Sequence, residues 1–245
     1  MPILRRSEQA EEQLRAGTSM LHMTGASTGS RMLTVNDLIV QPGTDVPYHV
    51  HPNTEESIFL VDGDIEFHLD GHRFNMTSGD CVLAARGKGH GLKNRSDKSA
   101  RLITVYPNAN PQRDLVDMPE LVDGPPETGA WFRAEAEPFE FMPGIMRFDM
   151  SGSFVGAEST YLSELVFAPG AIATNHYHPT TEESMFCLRG KLQVVYGKED
   201  DISMASGDMF NCEPAIRHGI FNSSDSNGTL LAIHPVTKPE RVEVP

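Results

Sequence analysis

Apolar residues recur along most of the chain in short alternating runs rather than at helical spacing, and Gly, Asp, Asn and Ser interrupt the runs every few residues. The runs predict strands at Thr18–Thr24, Met32–Gln41, Tyr48–His51, Ser57–Asp62, Asp64–Leu69, His72–Asn75, Cys81–Ala84, His90–Asn94 and Ala100–Tyr106. A second series follows at Ile145–Met150, Thr160–Ala168, Asn175–His178, Ser184–Leu188, Lys191–Tyr196, Ile202–Met204, Met209–Cys212, His218–Asn222 and Gly228–Val236. Many short strands joined by close turns predict an all-β antiparallel barrel or double-sheet sandwich. Residues 4–16, rich in Glu, Gln, Leu and Ala before Gly17, read instead as a short N-terminal helix or arm lying on a neighbour or on the barrel exterior. Residues 107–143 break the pattern, because Pro107–Pro111, Gly124-Pro125-Pro126 and Glu135–Pro138 are too rich in proline for a central sheet. One or two helical turns are expected there over Asp114–Leu121. Trp131, Phe132, Phe139 and Phe141 are expected to pin this connector against the second series of strands, with a place at a pocket mouth as the alternative. The tail from Thr237 is polar and receives no role.

The 245 residues suit two domains of about 100 residues, each able to bury its own core. The reading is an arm at 1–17, a first domain at 18–106, a connector at 107–143 and a second domain at 144–245. A net charge of −14 opposes binding to nucleic acid or anionic membranes, and no basic cluster exceeds Arg5-Arg6. No run of about 18 apolar residues is present, and the first residues lack the apolar core of a signal peptide, so a soluble cytoplasmic protein is expected. Cys81, Cys187 and Cys212 are odd in number and set among apolar residues, which predicts buried free thiols.

Candidate chemistry centres on Gly43–Gly63. Successive side chains of a strand point to opposite faces, so His49 and His51 share one face. Glu56 follows five residues later, after Pro52-Asn53 have turned the chain, and His90 follows the Gly-rich turn at Gly87-Lys88-Gly89. Three imidazoles and one carboxylate suit a first-row divalent metal and leave coordination positions open. The chain then repeats itself. At an offset of 127, His49, His51, Glu56 and Gly63 fall on His176, His178, Glu183 and Gly190; after one residue gained in the turn near Asp70-Gly71, His90 falls on His218 at 128. Six of the ten histidines are matched in this way, which implies duplication of a structural unit. The unmatched His68 and His72 read as surface residues, and His22 and His234 as strand residues away from the metal.

Both copies resemble the cupin superfamily. Its first motif, Gly, five residues, His-X-His, three or four residues, Glu, six residues, Gly, is met in full by each, and its spacing selects Glu56 and Glu183 over Glu55 and Glu182. In the second motif, Ala85 replaces the proline of the first copy, and Glu213 and Ala215 replace the proline and glycine of the second. The resemblance, over roughly 19–106 and 144–236, implies a bicupin: two tandem cupin barrels of double-stranded β-helix or jelly-roll type. It implies one divalent metal per domain, bound by His49, His51, Glu56 and His90 and by His176, His178, Glu183 and His218. Fe(II) is favoured, with Mn, Ni, Zn or Co as alternatives. Glu56 or Glu183 would double as a catalytic base.

Strand parity places Pro47, Ile58, Leu60 and Leu92 on the first pocket wall and Thr174, Met185, Cys187 and Ile220 on the second. A mostly apolar wall without arginine suits a carbon-rich, aromatic, enolic or diketone small molecule better than a small dicarboxylate. Arg31, Arg101 and Arg147, on or beside candidate strands, are the residues able to alter that picture. The resulting expectation is a metal-dependent non-haem dioxygenase resembling quercetinase-type bicupins. The alternatives are an O2-independent decarboxylase, isomerase or lyase, and a non-catalytic small-molecule binder. The expected partners are a small-molecule substrate and, through exposed sheet edges, a second copy of the chain in a homodimer.

Overall fold

The computed structural model describes residues 3–198 and 201–244. It is all-β; among these residues the only helical elements are single 3₁₀ turns at Arg6–Glu8, Ala26–Thr28, Arg133–Glu135 and Ser153–Val155. Each half of the chain forms a barrel from one large and one small sheet. In the first, the large sheet runs Ala130–Trp131, Cys81–Ala84, Glu56–Asp62, Ala100–Tyr106, Thr34–Val40, Thr18–Thr24, Glu12–Arg15. The small sheet runs Asp114–Leu115, Asp45–Val50, His90–Lys93, Asp64–Leu69, His72–Thr77, Val122–Asp123. The second barrel repeats this with Glu183–Arg189, Gly228–His234 and Tyr161–Phe167 at the centre of its large sheet, and Ile172–Tyr177, His218–Phe221 and Lys191–Tyr196 in its small one. The residue gained by the second copy falls after Tyr196; residues 199 and 200 lie outside the described residues, as do residues 1, 2 and 245.

Strands of the large sheets are apolar on both faces, and the alternation assigns each face a separate core. On Glu56–Asp62, Ile58 and Leu60 enter the first barrel, while Phe59 and Val61 meet Phe186, Met209, Leu231 and Ile233 of the second barrel in a shared layer. Burying about 25 cal/mol for each Å² of that layer holds the two barrels face to face. The three thiols are buried and free.

Of the helix or arm expected at the N-terminus, the arm forms. The segment lacks an apolar stripe at helical spacing, and it offers short extended pieces to sheet edges instead. Ile3–Leu4 pairs with Met209–Phe210 of the second barrel, and Glu12–Arg15 pairs with Thr18–Met20 through the turn at Gly17, whose φ is +74°. The connector corresponds to it position by position. Ala130–Trp131 pairs with Cys81–Val82 of the first barrel, and Phe139–Met142 pairs with Ile145–Arg147. Each barrel is thus edged by the segment that precedes the other.

The helical turns expected over Asp114–Leu121 are also absent. Asp114–Leu115 and Val122–Asp123 are two-residue strands, held extended by pairing with Asp45–Val50 and His72–Arg73. The aromatics of the connector divide between the barrels rather than pinning it to the second. Phe132 meets Phe74 of the first barrel edge-on, Trp131 lies between Leu83 and Phe154 and donates its indole N–H to the Asp149 carbonyl, and Phe141 reaches the second pocket.

Candidate metal centres

Two buried clusters bring together the sequence-predicted residues: His49, His51, Glu56 and His90 in one, His176, His178, Glu183 and His218 in the other. One ligand atom from each member lies within 4.8 Å of the rest. Local backbone aims them. His49 and His90 face one another across paired strands, as do His176 and His218, while Glu56 and Glu183 open the next strand. Each imidazole Nδ1 lies against a main-chain carbonyl: His49 on Pro47 at 2.8 Å, His51 on Gln112 at 2.5 Å and His90 on Lys88 at 3.0 Å. The second cluster repeats this on Thr174, Glu240 and Ile216 at 2.9, 2.5 and 3.0 Å. Donation from Nδ1 fixes the tautomer and leaves Nε2 to face the centre. Glu56 Oε2 lies 2.9 and 2.7 Å from the Nε2 atoms of His51 and His90; Glu183 Oε2 lies 3.0 and 2.8 Å from those of His178 and His218.

The electrostatics suit a cation. Burial drives the pKa of His49 and of His176 down to about 3, so both rings are neutral at pH 7 and offer a lone pair. Burial alone would raise the Glu56 and Glu183 carboxyls. Hydrogen bonds and charge from His51 and His90 outweigh it at Glu56, and the same interactions from His178 and His218, with the charge of His234, outweigh it at Glu183; both carboxyls stay well below the usual range. Three convergent imidazoles and an ionised carboxylate, with a fixed tautomer at each ring, fit one divalent metal per barrel.

Four site residues escaped the sequence reading. Tyr106 donates to Glu56 Oε1 at 2.6 Å, fixing the carboxylate from behind. Its counterpart His234, expected away from the metal, lines the second cavity with Nε2 3.4 Å from Glu183 Oε1, because the strand Gly228–His234 carries it to the mouth of the barrel. Arg113 and Arg241 stand at the two mouths and donate to the Pro47 and Thr174 carbonyls that orient His49 and His176. The 128-residue offset, continued past Tyr106, pairs all of these: Pro107 with Pro235, Pro111 with Pro239, Arg113 with Arg241. His68 is buried rather than on the surface, 2.9 Å from Glu66. His22 bonds Asn36 at 2.8 Å and lines the first cavity, outside the cluster.

The pocket walls are half as expected. Ile58, Leu92, Met185 and Ile220 line the cavities; Pro47, Leu60, Thr174 and Cys187 do not. The strand register shifts between His90 and Leu92, and again between Ala173 and His176. A bulge reverses strand parity, so Val46 and Ala173 point inward and Pro47 and Thr174 outward. Leu60 and Cys187 lie one step deeper, in the closed core below each cavity. The walls also carry the arginines that strand parity omitted: Arg15 and Arg113 in the first, Arg147 and Arg241 in the second. Of the three arginines singled out beforehand, Arg101 instead pairs with buried Asp37, and Arg31 is exposed.

The cavities differ in size, about 840 Å³ in the first barrel and about 260 Å³ in the second. Leu14, Met20 and Thr34 of the first barrel are replaced at equivalent positions by Phe141, Arg147 and Tyr161. The Arg147 guanidinium stacks 5.2 Å from the Phe141 ring and 4.8 Å from that of Tyr161, filling the second mouth.

The family model for the cupin domain matches residues 36–106 and 163–234, more than half of the chain. Quercetin 2,3-dioxygenase of Bacillus subtilis is 34% identical over 113 residues, 45% of this chain and 32% of that protein. The tetracenomycin polyketide synthase protein TcmJ of Streptomyces glaucescens is 23% identical over 128 residues, 50% of this chain and 86% of that protein. Among solved structures, the oxalate decarboxylase of Lactobacillus farciminis in complex with formate superposes with a TM-score of 0.83 at 15% identity, over 100% of this chain and 88% of that one. At that identity the likeness is one of fold. With a cupin match in each half and a shared two-barrel architecture along its whole length, the chain belongs to the cupin family as a bicupin.

Proposed function

We propose that the chain is a metal-dependent oxygenase acting at the first barrel on a carbon-rich, aromatic or enolic small molecule. The observation that carries this reading is the 840 Å³ cavity above His49, His51, Glu56 and His90, walled by Met20, Leu38, Val46, Ile58, Phe67 and Leu92. A cavity of that size and character accommodates a drug-sized apolar molecule and is far larger than a two-carbon acid needs. The partial identity with a quercetin dioxygenase supports the same substrate class. When bound, the metal would supply a Lewis acid and a redox centre. The chain's own contribution is placement and proton handling. Apolar walls orient the substrate and exclude water. Glu56, held ionised by His51 and His90, takes up the proton of an acidic substrate hydroxyl at Oε2 as those contacts loosen, while the Tyr106 hydroxyl occupies Oε1.

A second reading, an O2-independent reaction on a small acid, draws on the second barrel. Its 260 Å³ cavity is small and carries Arg147 and Arg241 beside the metal cluster. Oxygen-electrode measurements on iron-, manganese- and nickel-loaded protein with flavonols and 1,3-diketones separate the readings. Oxygen consumption matching substrate loss is the expected result. Release of CO2 from a small acid without oxygen consumption would replace the first reading with the second, and no turnover with any substrate class would leave a binding protein.

A further inference from the structure

The walls of the first cavity carry an unbalanced charge. Arg15 and Arg113 both line it, and neither forms an ion pair with a carboxylate among the described residues. Arg15 Nη1 is buried with no hydrogen-bond partner, and so is Oγ1 of Thr18, a residue 1% exposed on the same wall. Among the described residues Arg113 bonds the Pro47 carbonyl alone, at 3.3 Å. Burial, followed by the nearby charge of Arg113, lowers the pKa of the Arg15 guanidinium; burial also lowers that of Arg113, opposed by Tyr106 and Glu56. Among the described residues the only carboxylate on the wall is Glu56, already committed to the histidine cluster. All this occurs in a chain of net charge −14.

The second barrel shows the balanced version. Arg241 is paired with Glu243, and Arg147 lies 2.8 Å from Asp149. Where the second copy has Glu243, the first has Leu115; where it has Met142, the first has Arg15. The first copy therefore lacks an internal counter-ion and carries an additional cation at the same mouth. Leaving a buried donor unsatisfied is destabilising, and an incoming anion removes that cost.

We infer that the first cavity takes an apolar acid, its hydrocarbon body against Met20, Leu38, Ile58 and Leu92 and its carboxylate held by Arg15, Arg113 and the Thr18 hydroxyl. This inference rests on the proposed function for the apolar body of the ligand; the site for the charged group is independent of the reaction. It also explains why the 12–24 hairpin closes over the cavity, since that hairpin delivers both Arg15 and Thr18.

Titration calorimetry with 2-naphthoate and its neutral analogue 2-naphthalenemethanol tests it, on metal-loaded protein and again in excess chelator. The naphthoate is expected to bind about tenfold or more tightly than the alcohol, as charge-assisted hydrogen bonds allow. That preference is expected to persist without metal. In the double variant Arg15→Met/Arg113→Met it is expected to fall to about twofold or less, with the alcohol affinity unchanged. Equal affinities in the unaltered protein, a preference that vanishes with the metal or survives the double variant, or binding of neither probe at millimolar concentration would each overturn the inference. The comparison of acid with alcohol needs no variant to fold. Because it reads binding without turnover, absence of oxygen consumption would count against the proposed reaction and leave this result standing.

Discussion

At the scale of single residues, each centre is built by atoms that do not face the metal position. The carbonyls of Pro47, Gln112 and Lys88 fix three imidazoles, and the Tyr106 hydroxyl fixes Glu56. Substituting Tyr106→Phe keeps the ring and removes the hydroxyl. Metal affinity of the first barrel should weaken roughly 10- to 100-fold, as for other groups that orient a ligand, with the second barrel unchanged; competition with a chromophoric chelator measures both. Ala215, in place of the glycine of the second cupin motif, adopts φ +62° and still donates its N–H to the His178 carbonyl at 2.7 Å, as Gly87 does to His51 at 3.0 Å. The departure from the motif therefore leaves the turn intact but strained, and Ala215→Gly should raise stability by about 0.5–1 kcal/mol in denaturant unfolding. The histidines also set a pH profile. Burial lowers His49 and His176 to about 3 and His234 to about 4, below the 6.5 of an unfolded chain, so their stabilisation is lost as pH falls below 6.5 toward those values. At His51 and His178 burial is outweighed by Glu56 and Glu183, which raise both rings above 6.5; their stabilisation is full below 6.5 and lost as pH rises through the raised values. Metal-stripped protein should therefore melt highest near pH 6.5, and a melting temperature that rises steadily from pH 5 to 8 would contradict this.

At the scale of elements, the first-motif spacing that selects Glu56 and Glu183 leaves Glu55 and Glu182 unexplained, and strand alternation accounts for them. Where Glu56 turns into the barrel, Glu55 turns out and accepts the N–H groups of Glu158 and Ser159, each at 2.9 Å, from a loop of the other barrel. Glu182 does the reverse, accepting the N–H of Arg31 at 2.7 Å and that of Met32 at 3.2 Å. Adjacent carboxylates thus serve a metal position and a barrel interface. Glu55→Ala strands three donors in a buried joint, the two N–H groups and the Thr160 hydroxyl, and should cost about 1–3 kcal/mol, seen as a lower melting temperature with the metal ligands untouched. The strands, the fold class and the eight cluster residues were legible because alternation and a spaced motif are local signals. The edge strands at Ile3–Leu4 and Ala130–Trp131 were not, since two extended residues become a strand only by pairing with a distant edge. Bulges near His49 and His176 similarly misplaced Pro47 and Thr174, because a one-residue slip reverses every side chain beyond it.

At the scale of the molecule, the repeat extends beyond its motifs. Ile3–Leu4 matches Ala130–Trp131, and Asp114–Leu115 matches Val242–Glu243, so almost the whole described chain divides into two interleaved copies. The offset was readable in the sequence; what hid its ends was low identity outside the motifs. Against that near-symmetry the differences are concentrated at the cavity mouths, where Leu14, Met20 and Thr34 in one copy face Phe141, Arg147 and Tyr161 in the other. Arg15, without a basic counterpart in the repeat, left no sequence signal of its role. The claim beneath the proposed function is that each barrel holds one metal. Elemental analysis of protein purified without chelator or histidine tag tests it directly. The account predicts two metal equivalents per chain, falling to one in His49→Ala and one in His176→Ala; protein that contains no metal and takes none up when supplied would contradict it.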